Sequence, residues 1–313
     1  MKNSQQKVRQ WHDVDSALFR QEIIPRYQPA ILKGFANHWP AVRHARNTPQ
    51  ALVNYLMHFD NGTAVDAIMT PPDQRGRVFY NADMSGFNFF RNQITVSTVL
   101  EQLSRYACFP TSPAVALQSA LISACLPGFL AENTLSLLDT TVAPRIWIGN
   151  AIITPAHFDQ SSNLACVVSG QRRFTLFPPE QVGNLYIGPL DFAPTPTPIS
   201  LVDFHAPDEA RFPRFKQALQ VAQVADLEAG DMLYIPPLWW HHVESFDKLN
   251  VLVNYWWHEV PAAAGLSPFE CLLQSLQTIN HLPAEQKQAW CALFSHYVFN
   301  TTENPAAPIP ATS

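Results

Sequence analysis

The stretch that decides the fold is GDMLYIPPLWWHH, residues 230–242. A Gly-Asp turn leads into a short apolar run, two prolines follow, and a second apolar run ends in paired histidines. Short apolar runs bounded by Gly and Pro predict buried strands, here residues 231–235 and 239–245. Neighbouring residues of a strand face opposite sides, so only one of His241 and His242 can point into the interior. Spacing alone does not choose between them.

Similar runs surround this stretch and predict one β-barrel. Together with the two strands above, they give six predicted strands; the other four are residues 145–149, 158–169, 172–177 and 250–257. Many short strands punctuated by Gly and Pro are typical of a sandwich or barrel. The chain is therefore expected to be mainly β.

Helical patterns flank the predicted barrel on both sides. The N-terminal part is mixed, with helices expected at residues 49–58 and 96–105 and a short strand at 78–80. After Pro261, apolar residues recur at the spacing of two amphipathic helices. We therefore predict N-terminal α+β elements over residues 1–114, a barrel over 115–260, a helical region over 261–300 and a tail over 301–313.

A long segment, residues 178–224, interrupts the predicted barrel. It contains a Pro-rich stretch at 189–198 and the aromatic and basic run at 211–215. Loops of this length inside a compact domain are often lids or interaction surfaces. An ordered cover over the barrel is an equally good interpretation.

The composition limits which classes of protein this sequence can belong to. Hydrophobic residues make up 47% of the 313 residues and charged residues 14%, which suits a compact, folded chain. The net charge of -5 gives no reason to expect binding to nucleic acid. The N-terminus lacks the apolar core of a signal peptide, and no run is long enough to cross a membrane, so we expect a cytoplasmic protein. Five cysteines without a C-x-x-C pair predict buried free thiols.

The motif TPAHFD, residues 154–159, carries the first chemical signal. His157 and Asp159 are separated by one residue, so on a strand both side chains would project from the same face. An imidazole and a carboxylate facing an apolar interior are costly unless a metal ion satisfies them. With one histidine of the later pair, they would form the two-histidine, one-carboxylate facial triad of non-haem Fe(II) oxygenases.

Several polar residues nearby could complete such a site. Arg172 opens the strand after the next turn, where its guanidinium could hold a carboxylate in bidentate fashion or lie exposed. Asn163 continues the face of Asp159, Asn254 and Trp256 share a face of the last strand, and Thr154 precedes His157 by three positions. Each alone is equally compatible with an ordinary strand or core residue.

At this point the ordered blocks TPAHFD, SGQRRFTLFPPEQ, GDMLYIPPLWWHHVES and VLVNYWW resemble the JmjC-like cupin family, also called cupin-like domain 8, and especially its asparaginyl hydroxylases. The resemblance implies a double-stranded β-helix, or jelly-roll barrel. It implies that His157, Asp159 and His241 bind Fe(II), and that the co-substrate is 2-oxoglutarate. It further implies a group that would contact 2-oxoglutarate or order the site: Thr154, Asn163 and Asn254, with Trp256 packed beneath.

This chain departs from the family pattern at one position. The family usually has a lysine where Arg172 stands, as the partner of the distal carboxylate. It also often uses an upstream tyrosine, for which Tyr106 and Gln118 lie in the expected region.

The resemblance implies an Fe(II)- and 2-oxoglutarate-dependent oxygenase that hydroxylates a protein side chain and uses O₂. Two alternatives stay open: a metal-binding cupin enzyme acting on a small metabolite, and a non-catalytic scaffold. The C-terminal helices could pack on the barrel or join two copies into a homodimer, and we expect the homodimer.

Overall fold

The computed structural model describes residues 6–259 and 265–300, and these residues contain fourteen β-strands. In chain order the strands are β1 Gln6–Lys7, β2 Arg9–Trp11, β3 Ala30–Leu32, β4 Val65–Thr70, β5 Phe90–Ile94, β6 Ala114–Leu121, β7 Arg145–Gly149, β8 Ile153–His157, β9 Ser162–Ser169, β10 Arg172–Phe177, β11 Gln223–Leu227, β12 Met232–Ile235, β13 Trp240–Ser245 and β14 Asn250–Trp257.

Helices precede the barrel strands, interrupt them once and follow them. They are α1 Ser16–Leu18, α2 Pro40–Asn47, α3 Pro49–Phe59, α4 Val96–Tyr106, α5 Ile122–Cys125, α6 Phe129–Glu132, α7 Phe215–Val221, α8 Pro268–Ile279 and α9 Ala284–Tyr297. The helices expected near residues 49–58 and 96–105 are confirmed as α3 and α4. Thr48 and Thr95 cap them by accepting backbone N–H groups of the first turn.

The strands form two sheets that close into a jelly roll. One sheet has the order β2-β3-β12-β9-β14-β7-β6-β4-β5, and the other has the order β1-β11-β10-β13-β8. At their centre, β12-β9-β14-β7 and β11-β10-β13-β8 are antiparallel throughout. From β7 to β14 the chain crosses between the sheets at every step except the β10–β11 connection. The predicted double-stranded β-helix is confirmed.

Alternation along β9 shows how the sequence builds two cores around one sheet. Ala165 and Val167 face the inner cluster between the sheets, together with residues of β10, β11 and β12. Cys166 and Val168 face the outer cluster, which the N-terminal helices cover. Because both faces are buried, β9 is an almost continuous apolar run. The inner cluster thus occupies the space between the two sheets.

The chain divides into two compact units at Trp257–His258. The first unit holds the N-terminal elements and the jelly roll. In the second, Ser267 and Glu270 form a capping box at the start of α8. None of the described residues of α8 and α9 is buried, and Leu272, Leu293 and Tyr297 are among the exposed apolar side chains. The predicted domain boundaries and the expected homodimer stay predictions.

Part of residues 178–224, the long interruption of the barrel, packs along the edge of β8. Ser200 N–H donates to the Ala156 carbonyl at 2.8 Å, and the Thr197 hydroxyl donates to the Phe158 carbonyl at 2.6 Å. The segment includes α7, and its last two residues already belong to β11, a strand that the sequence analysis missed. This contact protects the backbone of an edge strand.

Two predicted strands are wrong in detail. Of residues 78–80, Tyr80 makes an isolated bridge to Phe87, and the Asn88 side chain accepts the Phe79 N–H that a ladder partner would need. The strand expected at 158–169 starts at Ser162, and the residues before it turn between β8 and β9.

The expectation of buried thiols is also wrong for three cysteines. Cys125 and Cys166 are buried, whereas Cys108, Cys271 and Cys291 are exposed, and all five are free. Cys271 and Cys291 lie on α8 and α9, where no residue is buried.

Across residues 6–259 and 265–300, every helix is too short or too polar to span a bilayer.

Candidate metal centre

The pairing of β8 with β13 brings two histidines together. His157 ends β8 and lies opposite His241 in the register, and their ring centroids are 4.2 Å apart. The register shifts between His241 and Val243. Trp239 belongs to the inner cluster. His241 follows it by two positions and therefore faces the same side, whereas the neighbours of His241 on β13 face away. The backbone therefore points both imidazoles at one end of the barrel interior.

Asp159 also points at this end of the barrel, but it is not oriented by a strand as predicted. It lies two residues beyond the end of β8, not on the strand, so strand alternation does not explain its direction. Its backbone carbonyl accepts the Leu238 N–H at 2.8 Å, which ties the loop to the residues before β13. A turn with this support, rather than a shared strand face, aims the carboxylate at the two imidazoles.

Two N–H donors hold the Asp159 carboxylate. Its Oδ2 accepts from Asn163 Nδ2 at 2.9 Å and from Trp256 Nε1 at 3.0 Å. Asn254 Nδ2 in turn donates to Asn163 Oδ1 at 2.7 Å. Asn163 and Asn254 are buried, so this chain of hydrogen bonds fixes the carboxylate from β9 and β14. Three residues singled out from the sequence thus contact the site through Asp159.

The three groups form a cluster of metal-ligand type. One ligand atom from each of His157, Asp159 and His241 lies within 4.8 Å of the others. His241 Nε2 is 3.7 Å from Asp159 Oδ2. Among the described residues, this is the one such group of three or more His, Cys, Asp and Glu residues.

Backbone contacts leave the same nitrogen free on each histidine. His157 Nδ1 lies 2.9 Å from the Pro155 carbonyl, and His241 Nδ1 lies 2.9 Å from the Trp239 carbonyl. Each Nδ1 therefore carries the proton, and each Nε2 presents a lone pair to the cluster. Burial and the neighbouring His241 lower the pKa of His157, which favours the neutral imidazole, the form that binds metals.

Arg172 lies at the start of β10, on the face that carries Phe174 and Leu176 into the inner cluster. Its Nε is buried without a hydrogen-bond partner, and no ion pair of its guanidinium is found among the described residues. Burial alone lowers the pKa of Arg172 to about 10, so the guanidinium is still charged near pH 7. A half-buried cation whose Nε has no partner is a candidate for binding an anionic ligand.

The remaining residues from the sequence lie less directly at the cluster. Thr154 is half-buried on β8, opposite Val243 of β13. Tyr106 packs against the outer cluster, where its hydroxyl meets Met69 Sδ at 3.9 Å. Gln118 is half-buried on β6.

Two tryptophans that the sequence analysis did not assign to the site have unsatisfied donors. Trp147 and Trp239 belong to the inner cluster or pack against it, and each indole N–H is buried without an acceptor among residues 6–259 and 265–300. Trp147 also meets Trp256 edge to face, with ring centroids 6.3 Å apart. The sequence did hold a signal for Trp239. It precedes His241 by two positions, so strand alternation would place both side chains on the same face.

His242 lies on the opposite side of β13 from the cluster. Its ring stacks on Phe204 with centroids 4.1 Å apart, and neither ring nitrogen finds a hydrogen-bond partner in the described part of the chain. Nearby, His205 Nε2 pairs with Glu244 Oε1 at 2.7 Å. The structure thus separates the paired histidines that spacing alone left equivalent.

Comparisons with known proteins agree with this architecture. A family model described as a cupin-like domain matches residues 16–263. Lysine-specific demethylase 8 of Xenopus tropicalis is 25% identical over 246 residues, which cover 76% of this chain and 50% of that protein. Lysine-specific demethylase JMJ31 of Arabidopsis thaliana is 35% identical over 132 residues, which cover 42% of this chain and 22% of that protein.

A human relative matches over more of its own length. The bifunctional peptidase and (3S)-lysyl hydroxylase JMJD7 is 27% identical over 270 residues, which cover 76% of this chain and 79% of that protein. The chain spans half or less of the length of the two demethylases.

Proposed function

This chain belongs to the cupin-like domain family, and from that premise we propose that it is an Fe(II)- and 2-oxoglutarate-dependent oxygenase that hydroxylates a protein side chain. The observation that carries the proposal is the cluster of His157, Asp159 and His241. Two imidazoles and one carboxylate suit a ferrous ion and leave coordination positions open for other ligands.

The donor set fits a resident metal ion. Each imidazole has its Nδ1 engaged by a backbone carbonyl and its Nε2 free. The carboxylate is oriented by Asn163 and Trp256 through one oxygen, Oδ2. Ligands fixed in this way by outer hydrogen bonds bind metals more tightly than mobile ones. We propose that His157, Asp159 and His241 hold the iron.

Arg172 fits the distal carboxylate of 2-oxoglutarate. Its half-buried side chain lies on the inner face of β10, and its buried Nε lacks a hydrogen-bond partner. Arginine keeps the charge of the lysine usual in the family and adds a planar pair of donors, which matches a carboxylate in bidentate fashion. The indole N–H groups of Trp147 and Trp239 are further donors without acceptors in the same interior.

When bound, iron would supply the reductive activation of O₂, coupled to oxidative decarboxylation of 2-oxoglutarate to succinate and CO₂, that places one oxygen atom in a substrate C–H bond. The chain would contribute binding and orientation. Arg172 would fix one end of the co-substrate, while Asn254, Asn163 and Trp256 keep the Asp159 carboxylate in place. The tryptophan-rich interior would exclude water from the reacting groups.

The relatives support a protein substrate. Two of them are named as lysine-specific demethylases and one as a lysyl hydroxylase, so their names place the reaction on amino-acid side chains. We propose the same substrate class here, with hydroxylation as the outcome.

The proposal is tested by succinate formation from 2-oxoglutarate with and without added Fe(II). We expect iron-dependent succinate in the wild-type protein and none above background in Asp159→Ala, which should also retain less iron. A crystal structure with iron and N-oxalylglycine, prepared without oxygen, should place the distal carboxylate on Arg172. Iron-loaded protein that neither binds nor decarboxylates 2-oxoglutarate would contradict the proposal.

A further inference from the structure

Leu238 occupies a turn position that disfavours leucine. Residues 236–239 form a tight turn in which the Trp239 N–H approaches the Pro236 carbonyl at 3.4 Å. Proline is second and Leu238 is third, with φ of 64°. This is the arrangement of a type II turn, whose third position favours Gly or Asn because other side chains are strained there. The leucine side chain is nevertheless 45% exposed.

Tyr27 repeats the pattern at the end of a short 3-10 helix, Ile24–Arg26. It is the residue that ends the helix, with φ of 51° and ψ of 39°, a left-handed position where glycine is usual. Its side chain is 46% exposed. Its hydroxyl donates to the Pro237 carbonyl at 2.7 Å, so Tyr27 and the turn that holds Leu238 are in direct contact.

The coincidence of strain and exposure is specific to this place. Seven non-glycine residues in the described part of the chain have positive φ, and of these Tyr27 and Leu238 are the two whose large apolar side chains are exposed. Strain and apolar exposure both cost folding free energy, and both would be relieved by glycine. Such strained positions are concentrated at ligand-binding sites.

The turn is attached to the metal centre on its other side. Leu238 N–H donates to the Asp159 carbonyl, and the Trp239 carbonyl holds His241 Nδ1. The Asp159 side chain is 23% exposed, so solvent reaches the cluster beside this turn. The turn that holds Leu238 is thus bonded to the residue through which solvent reaches the cluster.

We propose that Tyr27 and Leu238 form a docking surface for an apolar side chain of an extended peptide substrate, next to the residue that is oxidised. The inference rests on the proposed function and names the specificity of that same site. An aliphatic or aromatic residue of the substrate would cover the two exposed side chains. Binding would then gain the free energy of burying apolar surface that folding leaves exposed.

A charged residue at the same surface limits which peptide sequences would bind there. Glu180 is exposed and lies close enough to Tyr27 that, after burial, its charge is the second cause of the raised pKa of the Tyr27 hydroxyl. A carboxylate there repels acidic residues. The peptide that fits has an apolar residue at the docking position and no Asp or Glu beside it.

The test uses short synthetic peptides with Lys, Arg, Asn or His at the centre and Leu, Phe, Ser or Asp at the flanking positions. The readouts are gain of one oxygen atom by mass spectrometry and peptide binding by fluorescence anisotropy. Wild-type protein should prefer Leu or Phe flanks. Leu238→Asn, which tolerates the left-handed position, should lose that preference, with kcat/KM for the preferred peptide roughly tenfold lower through KM. Leu238→Met should retain it.

Controls separate docking from folding and from the proposed function. Leu238→Asn should melt no lower than wild type, because the position is strained and exposed. Arg75→Gly, which relaxes the same conformation after another 3-10 helix, should leave the peptide preference unchanged. A wild-type protein without flank preference, or a preference that survives in Leu238→Asn, would overturn the inference. Iron-loaded wild type that neither binds nor decarboxylates 2-oxoglutarate would instead overturn the proposed function, and the peptide-binding measurement would still decide the docking surface.

Discussion

The two faces of β13 place adjacent histidines in opposite circumstances. On the inner face, His241 has its Nδ1 fixed by a backbone carbonyl and lies beside His157 and Asp159. On the outer face, His242 is equally buried, yet both ring nitrogens lack hydrogen-bond partners among the described residues and the ring stacks on Phe204. One residue of offset separates an oriented ligand group from an imidazole that packs like an aromatic ring.

The difference teaches that burial alone does not prepare a histidine for the proposed metal binding. What distinguishes His241 is a fixed tautomer, a second imidazole opposite it in the sheet and a carboxylate held by two donors. His242 has Glu244 only at 3.9 Å, and Glu244 already pairs with His205. Substitutions on the two faces should therefore have effects of different kinds.

The largest expected effect is the contrast between His241→Ala and His242→Phe. The first removes a ligand group, so we expect loss of iron and no iron-dependent succinate formation above background. The second keeps a ring that can stack on Phe204 and should retain both. Metal analysis and a succinate assay on the same preparations measure the contrast. Similar losses in the two variants would show that the faces are not functionally distinct.

The second effect concerns the unpaired cation of the inner face. Arg172→Ala should raise KM for 2-oxoglutarate about a hundredfold, because a buried charge-assisted contact to the distal carboxylate is lost. Arg172→Lys restores the charge and should recover most of that loss. Arg173→Ala is the matched control, since Arg173 is exposed and pairs with Asp226. If Arg172→Ala and Arg173→Ala behave alike, Arg172 does not bind the co-substrate.

A third, smaller effect should follow from loosening Asp159. Trp256→Phe removes the indole N–H that donates to Asp159 Oδ2 and keeps an aromatic ring against Trp147. We expect iron affinity to fall roughly tenfold, as is typical for partners that orient a ligand. Competition with a metal-binding dye measures it. Unchanged affinity would mean that Asn163 alone positions the carboxylate.

The smallest effect is on stability at the outer face. In His242→Phe, an apolar ring takes the place of a buried imidazole whose two nitrogens are unsatisfied. The free energy of unfolding should therefore increase, or decrease by less than about 1 kcal/mol. Urea denaturation measures this, with Phe204→Ala as the variant expected to destabilise. A loss of several kcal/mol would indicate a polar partner for His242 in solution.

The sequence was a good guide where apolar runs were bounded by Gly or Pro. The predicted bounds of β7, β10 and β14 match the structure, since each run faces a core on at least one side. β11 was missed because Gln223–Leu227 mixes polar and apolar residues, and only its pairing with β10 identifies it as a strand. A strand without an apolar run or a regular alternation gives no local signal.

The candidate site shows a similar division. The sequence predicted that His157, Asp159 and His241 lie together, and the structure places them in one cluster. Strand alternation gave the wrong reason for Asp159, whose direction depends on the Leu238 N–H and two side-chain donors from other strands. Such long-range contacts leave no local pattern, so sequence could name the residue but not explain its orientation.

The register of β8 against β13 also has a consequence for folding. His157 and His241 are far apart along the chain and meet only when these two strands have paired. Contacts between distant segments form late, because the loop between them must first be closed. An ion held by both histidines would bind the closed barrel in preference to the unfolded chain and slow its opening. Iron retention should therefore report on barrel closure, and a substitution that weakens the β8–β13 pairing should release the metal even when it touches none of the three ligand groups.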